Sequence, residues 1–357
     1  MMPTVSPRSH TAAQCIAIAA LAIGCTEAPA PAVTPDAAAV ADAPAVTDAP
    51  VVADVRDAAD AGPPADAGPF RDQYPLGARF PEGGTYDPTS RSFFVGSLGD
   101  GSVRRVDAAT GAETVLFSET APGRWWTLGM DVDDARRLLW VCAMDDRSPS
   151  PRAGSVWVFD LTTGLRVANH ALSLARPDAT CTDVAVAADG VGYVVDREQP
   201  NVYRVERSGP PSLFVTDPLL AAGVVGQNAV VVLPDQSALL SLVYLPSSLV
   251  RIGLADRSVR RVELTGPFRD TTLLAGADGM TLAQGSAWVA FTSKVVRVTP
   301  SSGQWSAATT TIADVPNGLT DLVSTPRGIY LLNGQAVRFA LSTPPDPFAL
   351  TLFTESL

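Results

Sequence analysis

From residue 80 onward, short apolar runs alternate with turns rich in Gly, Pro, Asp and Ser, and no helical periodicity is present. The runs are rich in Val, Leu, Tyr, Phe and Trp, which is typical of β-strands. One four-residue unit recurs six times, as Val103-Arg-Arg-Val106, Val156-Trp-Val-Phe159, Val202-Tyr-Arg-Val205, Leu249-Val-Arg-Ile252, Val295-Val-Arg-Val298 and Ala336-Val-Arg-Phe339. The starts of these units differ by 53, 46, 47, 46 and 41 residues.

A second apolar strand is predicted directly before each unit, at residues 93–95, 138–141, 192–195, 239–243, 287–291 and 329–332. A further strand precedes each of these, and a weaker one usually follows the unit. Four short strands at a period of about 45 residues are typical of a propeller blade. The sequence therefore predicts an all-β fold, a six-bladed β-propeller of four-stranded blades, over residues 69–357.

The N-terminal segment has the pattern of an export signal. Residues 12–24 are almost wholly apolar, a length that suits a signal peptide but is too short to cross a bilayer as a helix. The segment ends in Leu21-Ala22-Ile23-Gly24-Cys25, which resembles the lipobox of bacterial lipoproteins, whose cysteine carries the lipid. We expect residues 1–24 to be a lipoprotein-type signal peptide and Cys25 to be the site of lipid attachment. The alternative is an ordinary secretory signal; both place the protein outside the cytoplasm.

Residues 26–68 form a repetitive Ala/Pro/Asp/Val segment with eight acidic residues, one basic residue and no aromatic residue. Such a composition cannot bury enough apolar surface to offset the entropy of ordering the chain. We expect residues 25–68, beginning with the acylated cysteine, to be a disordered linker. Of the net charge of −11, this linker carries −7 and the signal segment +1, which leaves −5 for residues 69–357. No basic patch is present, so the sequence does not favour a nucleic-acid partner.

The first strand of each propeller blade lines the central channel, and the residue that opens it lies at the channel mouth. Aligned on that position, the six repeats place there Glu82, Leu128, Thr182, Asn228, Asp278 and Thr320. Taken singly, Glu82, Asn228 and Asp278 each fit a turn or a solvated loop. Their equivalent positions favour a shared site for a divalent cation, Ca²⁺ first and Mg²⁺ or another ion as alternatives, because such ions bind oxygen ligands.

Histidines and cysteines restrict the chemistry further. The histidines are His10, in the signal segment, and His170, on a predicted outer strand, so neither a histidine-bound zinc nor a Ser-His-Asp triad is expected. With Cys25 acylated, Cys142 and Cys181 remain in an oxidising compartment. They can form a disulfide or stay as two separate buried thiols, and the sequence leaves both open.

Several motifs resemble the gluconolactonase/regucalcin family, also called senescence-marker-protein-like. Phe80-Pro-Glu-Gly83, Tyr86-Asp-Pro88 and Phe94-Val-Gly-Ser97 are similar to its opening blade, and Cys181-Thr-Asp-Val-Ala-Val186, Gln227-Asn-Ala-Val-Val and Asp278-Gly-Met280 to its later inner strands. The resemblance covers about residues 80–340. It implies a six-bladed propeller with a divalent metal held by Glu82, Asn228 and Asp278. Members with activity open sugar lactones or related esters.

The same resemblance shows one departure. Where the family's lactonases have an Arg and an Asn that hold the substrate, this chain has Thr180 and Thr182, which we take as the candidate substrate-binding residues. A threonine hydroxyl makes neither a cationic nor a bidentate contact, so sugar lactones are disfavoured as substrates.

Two functions follow from these observations. The first is a metal-dependent hydrolase of a lactone or ester, with Asp278 as a candidate base. The second is a non-catalytic propeller lipoprotein that binds a ligand or a protein. In both cases we expect a monomer that contacts the membrane through its lipid anchor alone.

Overall fold

The computed structural model describes residues 68–118, 125–145, 153–221, 225–245, 247–268, 276–301 and 304–354. The predicted signal peptide, the lipid site at Cys25 and almost all of the predicted linker lie outside the described residues. No helix among the described residues has the length and hydropathy needed to cross a membrane.

The described chain forms six sheets of consecutive antiparallel strands arranged as propeller blades, as the sequence predicted, and one of the sheets has an additional parallel strand. From the inner to the outer edge, blade one has β2 (Pro81–Asp87), β3 (Ser92–Ser97), β4 (Val103–Asp107) and β5 (Glu113–Phe117). Blade two has β6 (Trp125–Asp133), β7 (Leu138–Asp145), β8 (Gly154–Asp160) and β9 (Arg166–Ala171). Blade three has β10 (Asp183–Val186), β11 (Gly192–Val195), β12 (Asn201–Val205) and β13 (Ser212–Thr216).

The second half continues in the same order. Blade four has β14 (Val225–Val232), β15 (Ala238–Leu245), β16 (Ser248–Gly253) and β17 (Val259–Arg261), and blade five has β19 (Ala277–Ala283), β20 (Ser286–Phe291), β21 (Lys294–Pro300) and β22 (Ala307–Asp314). Blade five gains a fifth, outermost strand, β18 (Glu263–Thr265), which pairs in parallel with β22. Single turns of 3₁₀-helix occupy Asp134–Arg136, Leu172–Leu174 and Pro218–Leu220.

Blade six closes the ring. Its inner strands are β23 (Leu319–Thr325), β24 (Gly328–Asn333) and β25 (Phe348–Leu352), and its outermost strand is β1 (Gln73–Leu76), the first strand of the described chain. β1 pairs antiparallel with β25, from Gln73 opposite Thr351 to Leu76 opposite Phe348. The start of the propeller is thereby bonded to its end, and the edge of blade six is covered by a paired strand.

The predicted strand in the sixth repeat is wrong. Ala336-Val-Arg-Phe339 lies in a short helix, α1 (Ala336–Ala340), and the third strand of blade six is β25 instead. The Phe339 ring packs with its centroid 5.1 Å from that of Phe80 and 5.8 Å from that of Trp126, so part of its apolar surface is covered by residues of other blades. A four-residue apolar pattern fits a strand or a short helix equally well, and contacts to distant residues decide between them.

The core lies between neighbouring blades and includes a disulfide. Cys142 on β7 and Cys181, directly before β10, are bonded with a Cα–Cα distance of 5.3 Å, which links blade two to blade three. His170 lies on the outer strand β9, as predicted. Its side chain is buried, however, and stacks on Trp140 with the ring centroids 6.2 Å apart.

Candidate functional site

Five of the six aligned residues at the channel mouth lie in β-bulges. Pairing between the first two strands shifts register at five blades, between Pro81 and Gly84, Thr127 and Met130, Gln227 and Ala229, Ala277 and Met280, and Leu319 and Asp321. Glu82, Leu128, Asn228, Asp278 and Thr320 fall inside these shifts. A bulge re-aims a side chain and is common beside functional sites. The repeat therefore places a chemically variable residue at the same distorted point of each of these blades.

Two cavities meet at this ring of bulges. The channel cavity, of ≈ 310 Å³, runs along the inner strands, and the mouth cavity, of ≈ 360 Å³, opens under the segment that contains α1. Glu82, Asn228, Asp278 and Thr320 line both cavities. The three candidate metal ligands are therefore brought together at the boundary between the channel and its mouth.

The ligand candidates make few hydrogen bonds. The Asn228 amide nitrogen donates to Asp278 Oδ1 and, more weakly, to the Asp278 carbonyl at 3.4 Å. Glu82 Oε2 is buried and has no hydrogen-bond partner in the described part of the chain. The preceding residue, Gln227, is anchored by donating to the Asn201 carbonyl at 2.7 Å and accepting from the Ser241 hydroxyl at 2.8 Å. The backbone beside Asn228 is therefore held in place.

Burial and mutual repulsion disfavour ionisation of the Glu82 and Asp278 carboxyl groups. Burial, followed by repulsion from Asp278, raises the pKa of Glu82 well above its usual value. Burial likewise raises the pKa of Asp278 to about 7, although Arg197 and the Asn228 hydrogen bond favour its charged form. Two buried carboxyl groups that repel each other are poised to gain from a shared cation.

The donor set fits a hard divalent cation. No group of three or more His, Cys, Asp and Glu side chains suited to a metal occurs among the described residues, and the third candidate ligand, Asn228, is an amide. Two carboxylates and an amide oxygen are nonetheless ligands that calcium and magnesium accept. The buried, unpartnered Glu82 Oε2 is an acceptor that such an ion would satisfy.

The two candidate substrate-binding threonines lie in different environments. Thr182 lines the channel cavity, and its buried hydroxyl has no partner within the described ranges. Thr180 lines neither cavity; its hydroxyl and backbone N–H both donate to Asp196. Leu128 lines the mouth cavity and makes one side of it apolar. Thr180 therefore holds a neighbouring loop rather than facing the cavities.

Sequence reasoning missed three partly buried aspartates of the channel cavity, Asp131, Asp183 and Asp321. Each accepts one hydrogen bond from the next residue in the chain and one, at 2.8 Å, from the backbone of the next blade: Asp131 from Val186, Asp183 from Val230 and Asp321 from Gly84. These carboxylates tie blade two to three, three to four, and six to one. Asp183 and Asp321 directly follow the aligned mouth residues, a signal that was available in the repeat.

Two donors at the mouth were also missed. Arg197 follows β11 by two residues, and Tyr244 lies near the end of β15. Both line the mouth cavity together with Glu82, Asn228 and Asp278. No sequence signal distinguished these residues, because they lie outside the first strand of their blades.

No protein-family model matches the chain, and no curated protein matches it in sequence. Solved structures share its fold. Mala s 1, the major allergen of Malassezia sympodialis, matches with a TM-score of 0.67 and 15% identity over 79% of this chain and 96% of that chain. The calcium-binding protein regucalcin of Agrobacterium tumefaciens matches with a TM-score of 0.55 and 17% identity over 80% and 94%. A gluconolactonase of Xanthomonas campestris matches with a TM-score of 0.52 and 16% identity over 80% and 97%. The chain thus has the propeller fold of the gluconolactonase/regucalcin-like proteins.

Proposed function

We propose that this protein binds one divalent cation, calcium in preference to magnesium, through Glu82, Asn228 and Asp278, and hydrolyses a lactone or ester in the mouth cavity. The observation that carries the proposal is the buried, unpartnered Glu82 Oε2 beside a second buried carboxyl group. A buried acceptor without a partner costs about 1–3 kcal/mol, and a bound cation would recover that cost. Among the proteins that share the fold, regucalcin is a calcium-binding protein and another is a gluconolactonase, which agrees with the proposal.

The cation, when bound, supplies polarisation of the substrate carbonyl and a lower pKa for nearby water. The chain's own residues supply the remainder. Leu128 and the α1 residues Ala336 and Val337 line the mouth cavity and give it an apolar side. Asp278 is the candidate base of the reaction, because it lines both cavities at the boundary where the cation and the substrate would meet.

Calorimetric titration with calcium tests the cation site. We expect Asp278→Ala to lose calcium binding more severely than Asn228→Ala, because oxygen-ligand sites weaken as ligand charge falls. Asp235→Ala is the matched control, since Asp235 is an exposed acid in the turn between β14 and β15. Calcium binding that is unchanged in Asp278→Ala would show that the site lies elsewhere. Calcium binding without turnover of any lactone or ester would favour the non-catalytic alternative.

We also propose that the mature protein is exported and tethered by a lipid on Cys25. The support is the lipobox-like run that ends at Gly24. Intact-mass analysis of membrane fractions should find a lipid on the natural chain and none on Cys25→Ser. A water-soluble mature form without lipid would contradict this location.

A further inference from the structure

Arg197 places a cationic side chain at the mouth. It is partly buried and lines the mouth cavity together with Glu82 and Asp278, and its guanidinium has no hydrogen bond or ion pair within the described ranges. Arg338 lines the same cavity but is already paired, at 2.7 Å from Asp346 Oδ2 and 2.7 Å from the Pro344 carbonyl. Arg197 is therefore the arginine of this cavity that is free to bind a ligand.

The backbone on both sides of Arg197 is held rigidly. The Asp196 carboxylate accepts from the Thr180 N–H at 3.1 Å, the Tyr203 hydroxyl at 3.0 Å and the Glu198 N–H at 2.9 Å. The Arg197 carbonyl accepts from the Gly226 N–H at 2.7 Å, where a side chain would collide with it. A fixed backbone lowers the entropy cost of binding, as expected for a preorganised site.

Tyr244 supplies a second unpaired donor. Its side chain lines the mouth cavity, and its hydroxyl has no hydrogen-bond partner among the residues that the structure describes. Gly276 lies beside it, so closely that an added Cβ would be 3.3 Å from the hydroxyl oxygen. A guanidinium and a phenol that share one cavity form a donor pair suited to an oxyanion.

Charge counting gives the sign of the ligand. Glu82 and Asp278 contribute −2 when ionised, and Arg197 contributes +1. Arg197 lines the same cavity as both carboxyl groups. A divalent cation bound to the two carboxylates would leave the mouth with an excess charge of +1, which a ligand with a single negative charge would neutralise.

We propose that Arg197, assisted by Tyr244, binds the carboxylate of an anionic substrate, so that the preferred substrates are lactones or esters bearing one carboxylate. This inference rests on the proposed function and adds the substrate class. In the reaction, the oxygen of a water molecule adds to the carbonyl carbon. The single bond between that carbon and the ring or ester oxygen breaks, and the departing oxygen takes a proton from the water. The carboxylate held by Arg197 is unchanged by these steps.

The test compares two probes of the same size: γ-butyrolactone carrying a carboxylate at its γ carbon, and the corresponding carboxamide. Binding is measured by calorimetry on the calcium-loaded full chain, and ring opening by NMR. We expect the carboxylate to bind more tightly, and Arg197→Gln to weaken it by about 10- to 100-fold, the range for a lost charge-assisted hydrogen bond. Carboxamide binding should be unchanged. Arg197→Lys should retain part of the preference, and Tyr244→Phe should lose less than Arg197→Gln.

Arg204→Gln is the matched control, because it removes the same charge from the same blade at a residue that is paired with Glu206. It should leave the preference for the carboxylate intact. Equal affinity for the two probes in the wild type, or binding of neither, overturns the inference while leaving calcium binding unaffected. The inference is also overturned if Arg197→Gln lowers stability without changing the preference, since Arg197 would then only balance the carboxylates. Absence of calcium binding overturns the proposed function itself, and this inference falls with it.

Discussion

The acidic side chains of the channel fall into two groups that differ in their hydrogen bonds. Asp131, Asp183 and Asp321 each accept two backbone N–H groups, one of them from the next blade. Glu82 and Asp278 lie nearer the mouth, and neither accepts a backbone N–H from the described residues. The Asn228 side-chain amide donates to Asp278, whereas Glu82 Oε2 has no hydrogen-bond donor in the described chain. Burial raises the pKa in both groups, to about 6 for Asp131 and about 7 for Asp278 and Asp321. A raised pKa therefore does not separate them.

The hydrogen bonds do separate them. A carboxylate that accepts hydrogen bonds from backbone N–H groups of two blades stabilises the ring. Few of its oxygen lone pairs then remain for a ligand. A carboxylate that is buried without such donors leaves a cost unrecovered in the protein alone. We infer that the aspartates deeper in the channel hold the blades together and that the mouth carboxylates remain available for a cation.

The largest expected effect is a difference in the free energy of unfolding between the Asp321→Ala and Asp278→Ala variants. Asp321→Ala removes the acceptor that joins blade six to Gly84 of blade one, at the closure of the ring. Each backbone donor left unpaired costs about 1–3 kcal/mol, so the free energy of unfolding in EDTA should fall by about that amount or more. Asp278→Ala should change it little or increase it, because a buried charge is removed. Urea unfolding of both variants measures the difference, and equal losses would contradict the distinction.

A smaller effect of pH should sharpen the same comparison. The unfolded chain ionises its aspartates near their ordinary pKa, whereas the native state keeps protons on Asp278 and Asp321 until about pH 7. Stability from these groups is therefore present at low pH and is lost as pH rises from about 4 to about 7, at about 1.4 kcal/mol per unit of pKa difference. His170 acts in the opposite direction, because its pKa is lowered by burial.

Calcium should change only part of this pH dependence. Bound as we propose, calcium should compete with protons at Glu82 and Asp278 and leave Asp131, Asp183 and Asp321 on their backbone donors. Urea unfolding is measured at pH 5 and at pH 7, with EDTA and with calcium. The free energy of unfolding should fall less between pH 5 and pH 7 when calcium is present. The calcium effect should vanish in Asp278→Asn and persist in Asp321→Asn. A calcium effect that vanishes in Asp321→Asn instead would place the cation deeper in the channel.

Much of the fold was predictable from local patterns. The spacing of the repeats predicted six blades, and the alignment of their first strands predicted that Glu82, Asn228 and Asp278 occupy equivalent positions. Repetition makes this prediction robust, because equivalent residues of a ring converge on one axis. The sixth repeat broke the pattern, since Phe339 finds its partners on Phe80 and Trp126 in other blades.

The roles of the buried acids could not be predicted in the same way. Asp183 and Asp321 follow the mouth position by one residue, but Asp131 follows it by three. The hydrogen bonds that assign them to the ring join residues separated by 55, 47 and 237 positions.

The chain's own pattern of apolar and polar residues thus determines the blades and the ring of mouth residues, because both follow from short-range periodicity. The packing of one blade on the next decides which carboxylates are satisfied, and it brings Arg197 and Tyr244 to the cavity that holds Glu82 and Asp278. Periodicity within a strand carries no information about the register between two sheets. That register alone sets which buried donors and acceptors meet and which are left for a ligand.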